Sequence, residues 1–267
     1  MEKRATIFTV VILLLGFLLI SANIIADEVC EGYPPQSPRD IDNQSGENRS
    51  IFAVAPSYSQ LNLCNLHFHV NAEHKSEDFS INAGDGIDGL GGGYQCNDSK
   101  SLTYKELQVP TKNFCKGVKP GDTIEVHWVY TSCDVKPAKS LKSCFSDSCI
   151  NPNLRVEAQV LTVVNDASAL NFLDFTYDGN IVNGYHQAKA FPKNTGKPVE
   201  YVGSTTGSKY SEQLCSPYQG TWSVRPKCAK IDINSLSEWC KNNVFGENHA
   251  HGVRKLITHP KLLGEIK

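Results

Sequence analysis

Four runs of the chain alternate apolar and polar positions with a period of two: Leu61–Val70, Thr123–Tyr130, Leu154–Val164 and Thr221–Val224. That period sends successive side chains to opposite faces, so each run predicts a β-strand. One stretch, Ser235–Val244, carries a helical signature, with Ser235 placed as N-cap and Glu238 at the capping-box position three residues on. Ala83–Gly93 holds six glycines and predicts a long loop; Ser132–Asn153, with three cysteines, predicts a second. Cys30–Arg49, rich in Pro, Asp, Asn and Ser, reads as an irregular arm over the domain. No internal repeat and no long polar linker divides the chain. The pattern therefore predicts one mainly β domain, largely antiparallel, with a few short helices.

The ends and the composition refine this picture. A basic start (Met1-Glu2-Lys3-Arg4) precedes an apolar run from Ile7 to Ile20 and small residues at Ala22 and Ala26, the layout of a secretory signal with cleavage expected near Ala26. An uncleaved anchor is the alternative, but the run falls short of the ~20 residues that cross a bilayer. The expected division is a signal peptide over 1–26 and one folded domain over 27–267. The mature chain would be exported, periplasmic or secreted, and free of the membrane. All ten cysteines follow the signal and none is spaced CxxC, which points to five disulfides in an oxidising compartment rather than to thiolate metal sites. Their pairing is left open. Asn43, Asn48 and Asn97 stand in N-x-S/T contexts. A net charge of −2 with both signs interspersed gives no basic stripe for a nucleic-acid partner.

The candidate chemistry lies on two of the strands. In Asn65-Leu66-His67-Phe68-His69-Val70, His67 and His69 share one face and the apolar residues take the other. In Ile124-Glu125-Val126-His127-Trp128-Val129-Tyr130, His127 and Glu125 share a face. Three imidazoles from neighbouring strands would hold one metal and leave the fourth tetrahedral position for water, as a catalytic zinc site requires. Glu125 is placed to accept the other ring N–H of His127, and Asn65 bears the same relation to His67. Copper/zinc superoxide dismutase also presents an H-x-H on an exported β-sandwich. The further histidines and the bridging aspartate it needs find no place here.

Several ordered segments are similar to motifs of the alpha-class carbonic anhydrases: Gln36-Ser37-Pro38, His67-Phe68-His69, Glu73-His74, Glu125-Val126-His127, Tyr201-Val202-Gly203-Ser204-Thr205-Thr206, Cys215-Ser216-Pro217 and Thr221-Trp222-Ser223-Val224. Glu73-His74 follows His69 after three residues, a Gly-rich and Cys-containing insertion lengthens the gap to His127, and Thr206 is followed by Gly-Ser-Lys rather than two prolines. With these departures the chain resembles the delta class. The resemblance implies a domain built around a central twisted sheet and one zinc per chain on His67, His69 and His127. It implies reversible hydration of CO2 to bicarbonate and a proton, by hydroxide formed from metal-bound water whose pKa is lowered to about 7. It also implies that Thr206 passes a hydroxyl hydrogen to Glu73 and orients the attacking oxygen, that His74 supports the ligands, and that Val129, Val160 and Trp222 wall the CO2 pocket. A catalytically silent binding domain of the same family is the competing reading. His249-Ala250-His251 is a second H-x-H outside strand context, read as capping or surface hydrogen bonding.

Overall fold

A computed structural model of the protein describes residues 29–30, 32–84, 86, 92–205, 207 and 210–267. The expected signal segment, its cleavage site, most of the glycine-rich loop and Thr206 lie outside the described residues. The strands are β1 (Asn62–Val70), β2 (Ile81–Asn82), β3 (Tyr94–Gln95), β4 (Thr123–Thr131), β5 (Leu154–Val164), β6 (Ile181–Val182), β7 (Tyr185–His186), β8 (Val199–Ser204), β9 (Gln219–Val224) and β10 (Ala229–Asp232), followed by α1 (Ile233–Lys241).

The main sheet runs β1-β4-β5-β9-β8, with β10 also paired to β5. The β1–β4, β4–β5 and β8–β9 pairings are antiparallel, whereas β9 and β10 each join β5 in parallel. The expected antiparallel character holds along most of the sheet, and the two parallel pairings make it mixed. Every residue of β4 and β5 is buried because the sheet is covered on both faces. One face carries Leu66, Phe68, Val126, Trp128 and Leu161 against Leu236 and Trp239 of α1. The other carries Val129, Val156, Val160, Trp222 and Val224. Full burial of each such side chain is worth roughly 1.5–3 kcal/mol.

A bulge sets which face of β1 does the chemistry. Leu63 pairs with Tyr130 and Asn65 with Val129, leaving Cys64 as the extra residue. Leu63 and Leu66 thereby share the helix-side core, and Asn65, His67 and His69 turn to the opposite face.

The helix starts earlier than the sequence suggests. Asp232, not Ser235, caps it: its carboxylate accepts the Ser235 N–H at 3.3 Å, while the Ser235 hydroxyl donates to the Asp232 carbonyl at 2.8 Å. Glu238 is left exposed beside Lys241. Strand β8 is not evident from the sequence, since Tyr201–Ser204 reads as a motif ending in small polar residues. The cysteines pair as Cys30–Cys215, Cys64–Cys144, Cys96–Cys228, Cys115–Cys240 and Cys133–Cys149. No helix among the described residues is long and apolar enough to cross a membrane.

Candidate metal centre

The antiparallel register sets His67 directly opposite His127 and His69 opposite Glu125. One nitrogen from each of His67, His69 and His127 lies within 4.8 Å of the others. Hydrogen bonds fix the second nitrogen of every ring. His67 Nδ1–H donates to Asn65 Oδ1 at 2.7 Å, His69 Nδ1–H to the Gly252 carbonyl at 3.0 Å, and His127 Nε2–H to Glu125 Oε1 at 3.0 Å. These bonds leave Nε2 of His67, Nε2 of His69 and Nδ1 of His127 as lone-pair donors.

Burial favours the neutral, ligating form at two of the three rings. Burial, reinforced by the neighbouring His127, His69 and His251, holds His67 well below the usual histidine range. Burial also lowers His69, against the opposing charge of Glu73. Burial would lower His127 too, but the hydrogen bond and charge of Glu125 outweigh it and raise that ring. His69 Nε2 is buried and has no hydrogen-bond partner. A buried imidazole lone pair without a donor is costly unless something binds it, so this donor set fits a borderline-soft divalent cation such as zinc.

Glu125 anchors the support. Its Oε2 accepts the backbone N–H of Glu73 at 2.6 Å and of His74 at 3.2 Å, and its Oε1 accepts His74 Nδ1–H at 2.6 Å as well as His127. Burial alone would raise this carboxyl, yet His74 and His127 hold it well below the ordinary range. His74, Glu125 and His127 also cluster closely enough to hold a metal, but their facing atoms are already bonded to one another. On its far side His74 Nε2 meets Tyr201 Oη at 2.7 Å, and the Ser37 hydroxyl donates to the same oxygen at 3.1 Å. Gly203 permits this approach: a Cβ there would sit 2.0 Å from Ser37 Oγ. The two motifs are thus halves of one contact.

A family model for the delta carbonic anhydrases matches residues 58–235 of the 267 in the chain. The chain belongs to the delta carbonic anhydrase family. No curated protein matches it. Among solved structures it is similar to a hyperthermostable carbonic anhydrase identified from an active hydrothermal vent chimney, at 14% identity over 87% of this chain and 86% of that one, TM-score 0.34. It is also similar to the alpha-carbonic anhydrase of Thermovibrio ammonificans in complex with the inhibitor sulfanilamide, at 17% identity over 84% and 83%, TM-score 0.28. Likenesses this distant assign no chemistry to individual residues of this chain.

In this carbonic anhydrase family member His67 and His69 line a cavity of about 350 Å³ together with Asn65, Glu73, His251 and Arg254, and His127 lies buried behind them. Glu73 is buried, its Oε1 accepts the Arg254 backbone N–H at 3.3 Å, and its Oε2 has no partner. Thr206, expected to donate to it, lies outside the described residues. Val129 lines an adjoining apolar cavity of about 530 Å³, which shares Leu141 with the first. Val160 and Trp222 line neither cavity and are fully buried in the core. The Trp222 ring packs 5.2 Å from His127 and 4.8 Å from His74, where it braces the imidazoles.

The sequence pattern does not reveal the C-terminal strap. His251 N–H donates to the Phe68 carbonyl at 2.9 Å and Val70 N–H to the His251 carbonyl at 3.0 Å, which lays residues 251–254 along the open edge of β1. The hydrogen bonding expected of His251 is present on a side chain 39% exposed, but the H-x-H context does not show that this residue pairs with β1 beside His67. Its ring stands 5.6 Å from His67, and its Nε2 meets Glu247 Oε2 at 2.9 Å. No short-range pattern announces a carbonyl or arginine arriving from so far along the chain.

Proposed function

We propose that the protein is a zinc-dependent carbonic anhydrase, converting CO2 and water to bicarbonate and a proton with one zinc per chain on His67, His69 and His127. The observation that carries this reading is the set of three oriented imidazoles whose unbonded nitrogens converge, one of them buried without any partner. When bound, zinc supplies Lewis acidity that brings the pKa of a coordinated water to about 7.

The residues of the chain do the rest. Asn65, the Gly252 carbonyl and Glu125 hold the ring tautomers, and His74 holds Glu125. The role proposed for Thr206 is to give its hydroxyl hydrogen to Glu73 and to accept one from the attacking oxygen, and the unpartnered Oε2 of Glu73 supports it. CO2 offers little to hydrogen-bond, so an apolar wall beside the metal suits it, and Val129 supplies part of that wall. Val160 and Trp222 belong to this wall only as backing, through the core behind it. We assign residues 1–26 to a removed signal and 27–267 to the exported catalytic domain, a reading that the five disulfides support.

The test is stopped-flow CO2 hydration by the purified mature protein, with zinc measured on the same sample and on His127→Ala. Zinc near one per chain and hydration lost in the variant are expected. Bound zinc without hydration would leave a family member that binds and does not turn over.

A further inference from the structure

We propose that residues 100–119 form a surface that docks the mature protein peripherally on an anionic lipid bilayer. The segment carries Lys100, Lys105, Lys112, Lys116 and Lys119 and a single acid, Glu106, in a chain whose 26 basic residues are outnumbered by 28 acids. The whole-chain balance therefore hides a local concentration of positive charge. All five lysines are exposed, whereas Glu106 is buried and its carboxylate is met by Lys230 and Thr103. Lys119 pairs with Asp122, and the other four lysines have no acid within 4 Å among the described residues. The acids nearby are engaged as well: Asp98 accepts the Thr162 hydroxyl, and Asp166 accepts the N–H and hydroxyl of Ser168.

Large apolar side chains stand among these charges. Tyr104 is 83% and Val109 68% exposed, and Leu107 and Phe114 are exposed as well. The backbone that displays them is held in place. Thr103 donates its N–H and hydroxyl to Glu106 Oε2, Asn165 donates its N–H to the Glu106 carbonyl and Nδ2–H to the Gln108 carbonyl, and Cys115 is bridged to Cys240. Further on, Lys116 N–H donates to the Asn248 carbonyl and Ala250 N–H to the Lys116 carbonyl. The segment thus runs, tied at both ends, from the end of β5 to the C-terminal strap. Single exposed apolar residues are ordinary, but four within residues 104–114, interleaved with lysines, match a partner that is both anionic and apolar. Lysine heads meet lipid phosphates while aromatic and aliphatic side chains enter the boundary between headgroups and acyl chains. A soluble polyanion would meet the lysines and leave Leu107 and Val109 in water, so the lipid surface answers both halves of the pattern. Such a contact lies on the bilayer without spanning it, and it qualifies the expectation of a mature chain free of the membrane.

The experiment is co-sedimentation of the mature protein with vesicles of phosphatidylcholine alone and of an equal mixture of phosphatidylcholine and phosphatidylglycerol. Binding is expected to the mixed vesicles only, and it should weaken as salt is raised. A lysine near an anionic surface contributes roughly fivefold in affinity, so the double variant Lys105→Gln, Lys112→Gln should bind roughly 25-fold more weakly. The double variant Tyr104→Ser, Val109→Ser keeps every charge and should also bind more weakly. The four replaced side chains are exposed, so both variants are expected to fold, which far-UV circular dichroism checks. Equal sedimentation with the two kinds of vesicle overturns the inference, as does wild-type binding by either folded variant. Retention on immobilised heparin that needs the lysines, ignores the Tyr104 and Val109 changes and is accompanied by no vesicle binding assigns the surface to a soluble polyanion and overturns the lipid reading.

Discussion

Replacing Glu125 by Gln tests the site at the bond on which most of it depends. Glu125 accepts four N–H groups, two from backbone at Oε2 and two from imidazoles at Oε1. A glutamine of the same shape has one acceptor and one donor end. If its NH2 faced the backbone, the N–H groups of Glu73 and His74 would both be stranded in the core, each costing about 1–3 kcal/mol. The amide therefore turns its carbonyl to the backbone and its NH2 to the imidazoles. His127 must then accept at Nε2 and carry its proton on Nδ1, the nitrogen otherwise free for a metal. Disturbing a ligand's outer partner typically lowers metal affinity 10–100-fold, or about 1.4–2.7 kcal/mol. Zinc affinity measured by chelator competition should fall by that factor in Glu125→Gln, and ¹⁵N NMR should show the His127 proton moved to Nδ1. A folded variant with wild-type zinc affinity and an unmoved His127 proton would refute the tautomer argument.

Three further outcomes are expected. Glu106 is held at about 2, against an ordinary 4.5, first by the Lys230 ammonium and then by the N–H and hydroxyl of Thr103. A depressed carboxylate stabilises above its unfolded pKa and loses that contribution as pH falls toward its folded one. The thermal midpoint gap between wild type and Glu106→Gln should therefore close between pH 5 and pH 2, and a constant gap would rule the pairing out. Chelation should abolish hydration yet leave the far-UV circular dichroism intact, because the core clusters and the five disulfides that hold the sheet do not include the three histidines; unfolding on chelation would contradict that order of dependence. Trp128 is fully buried and donates Nε1–H to the Phe175 carbonyl at 2.7 Å, so Trp128→Ala should lose about 3–5 kcal/mol in urea unfolding, and a loss under 1 kcal/mol would show that the site collapses around the gap.

Whatever a local period encodes was legible in the sequence. His67 and His69 on one face, and His127 with Glu125 on another, follow from alternation alone, and the Asn65 and Glu125 contacts follow from spacing. The helix was legible in kind but not in its start, because β10 runs directly into it and Asp232 at that junction outcompetes Ser235 as cap. Four-residue β10 and the Gly-Ser end of β8 are too short or too small-sided to show a period. The disulfide pairs, the Gly252 carbonyl and Arg254 depend on contacts across most of the chain, where sequence adjacency carries no information.

The bulge at Cys64 joins fold and chemistry most directly. Were Cys64 paired in line rather than bulged, β1 would keep the register begun at Leu63 and Tyr130. Leu66 would then face His127, and His67 would face Val126 on the helix-side core. One residue therefore decides whether two imidazoles meet a third or are buried among apolar side chains. That residue is a cysteine, and its bridge to Cys144 ties the bulge to the loop over the cavity, where Ser143 Oγ also donates to the Cys64 carbonyl at 2.8 Å. A strand whose two faces differ resists slippage, and β1 sets Leu66 and Phe68 in the helix-side core against His67 and His69 on the other face. The Cys64–Cys144 bridge adds a covalent hold at the bulge to that preference, so the residue that turns the histidines away from the helix-side core is also tied to the chain beyond β4.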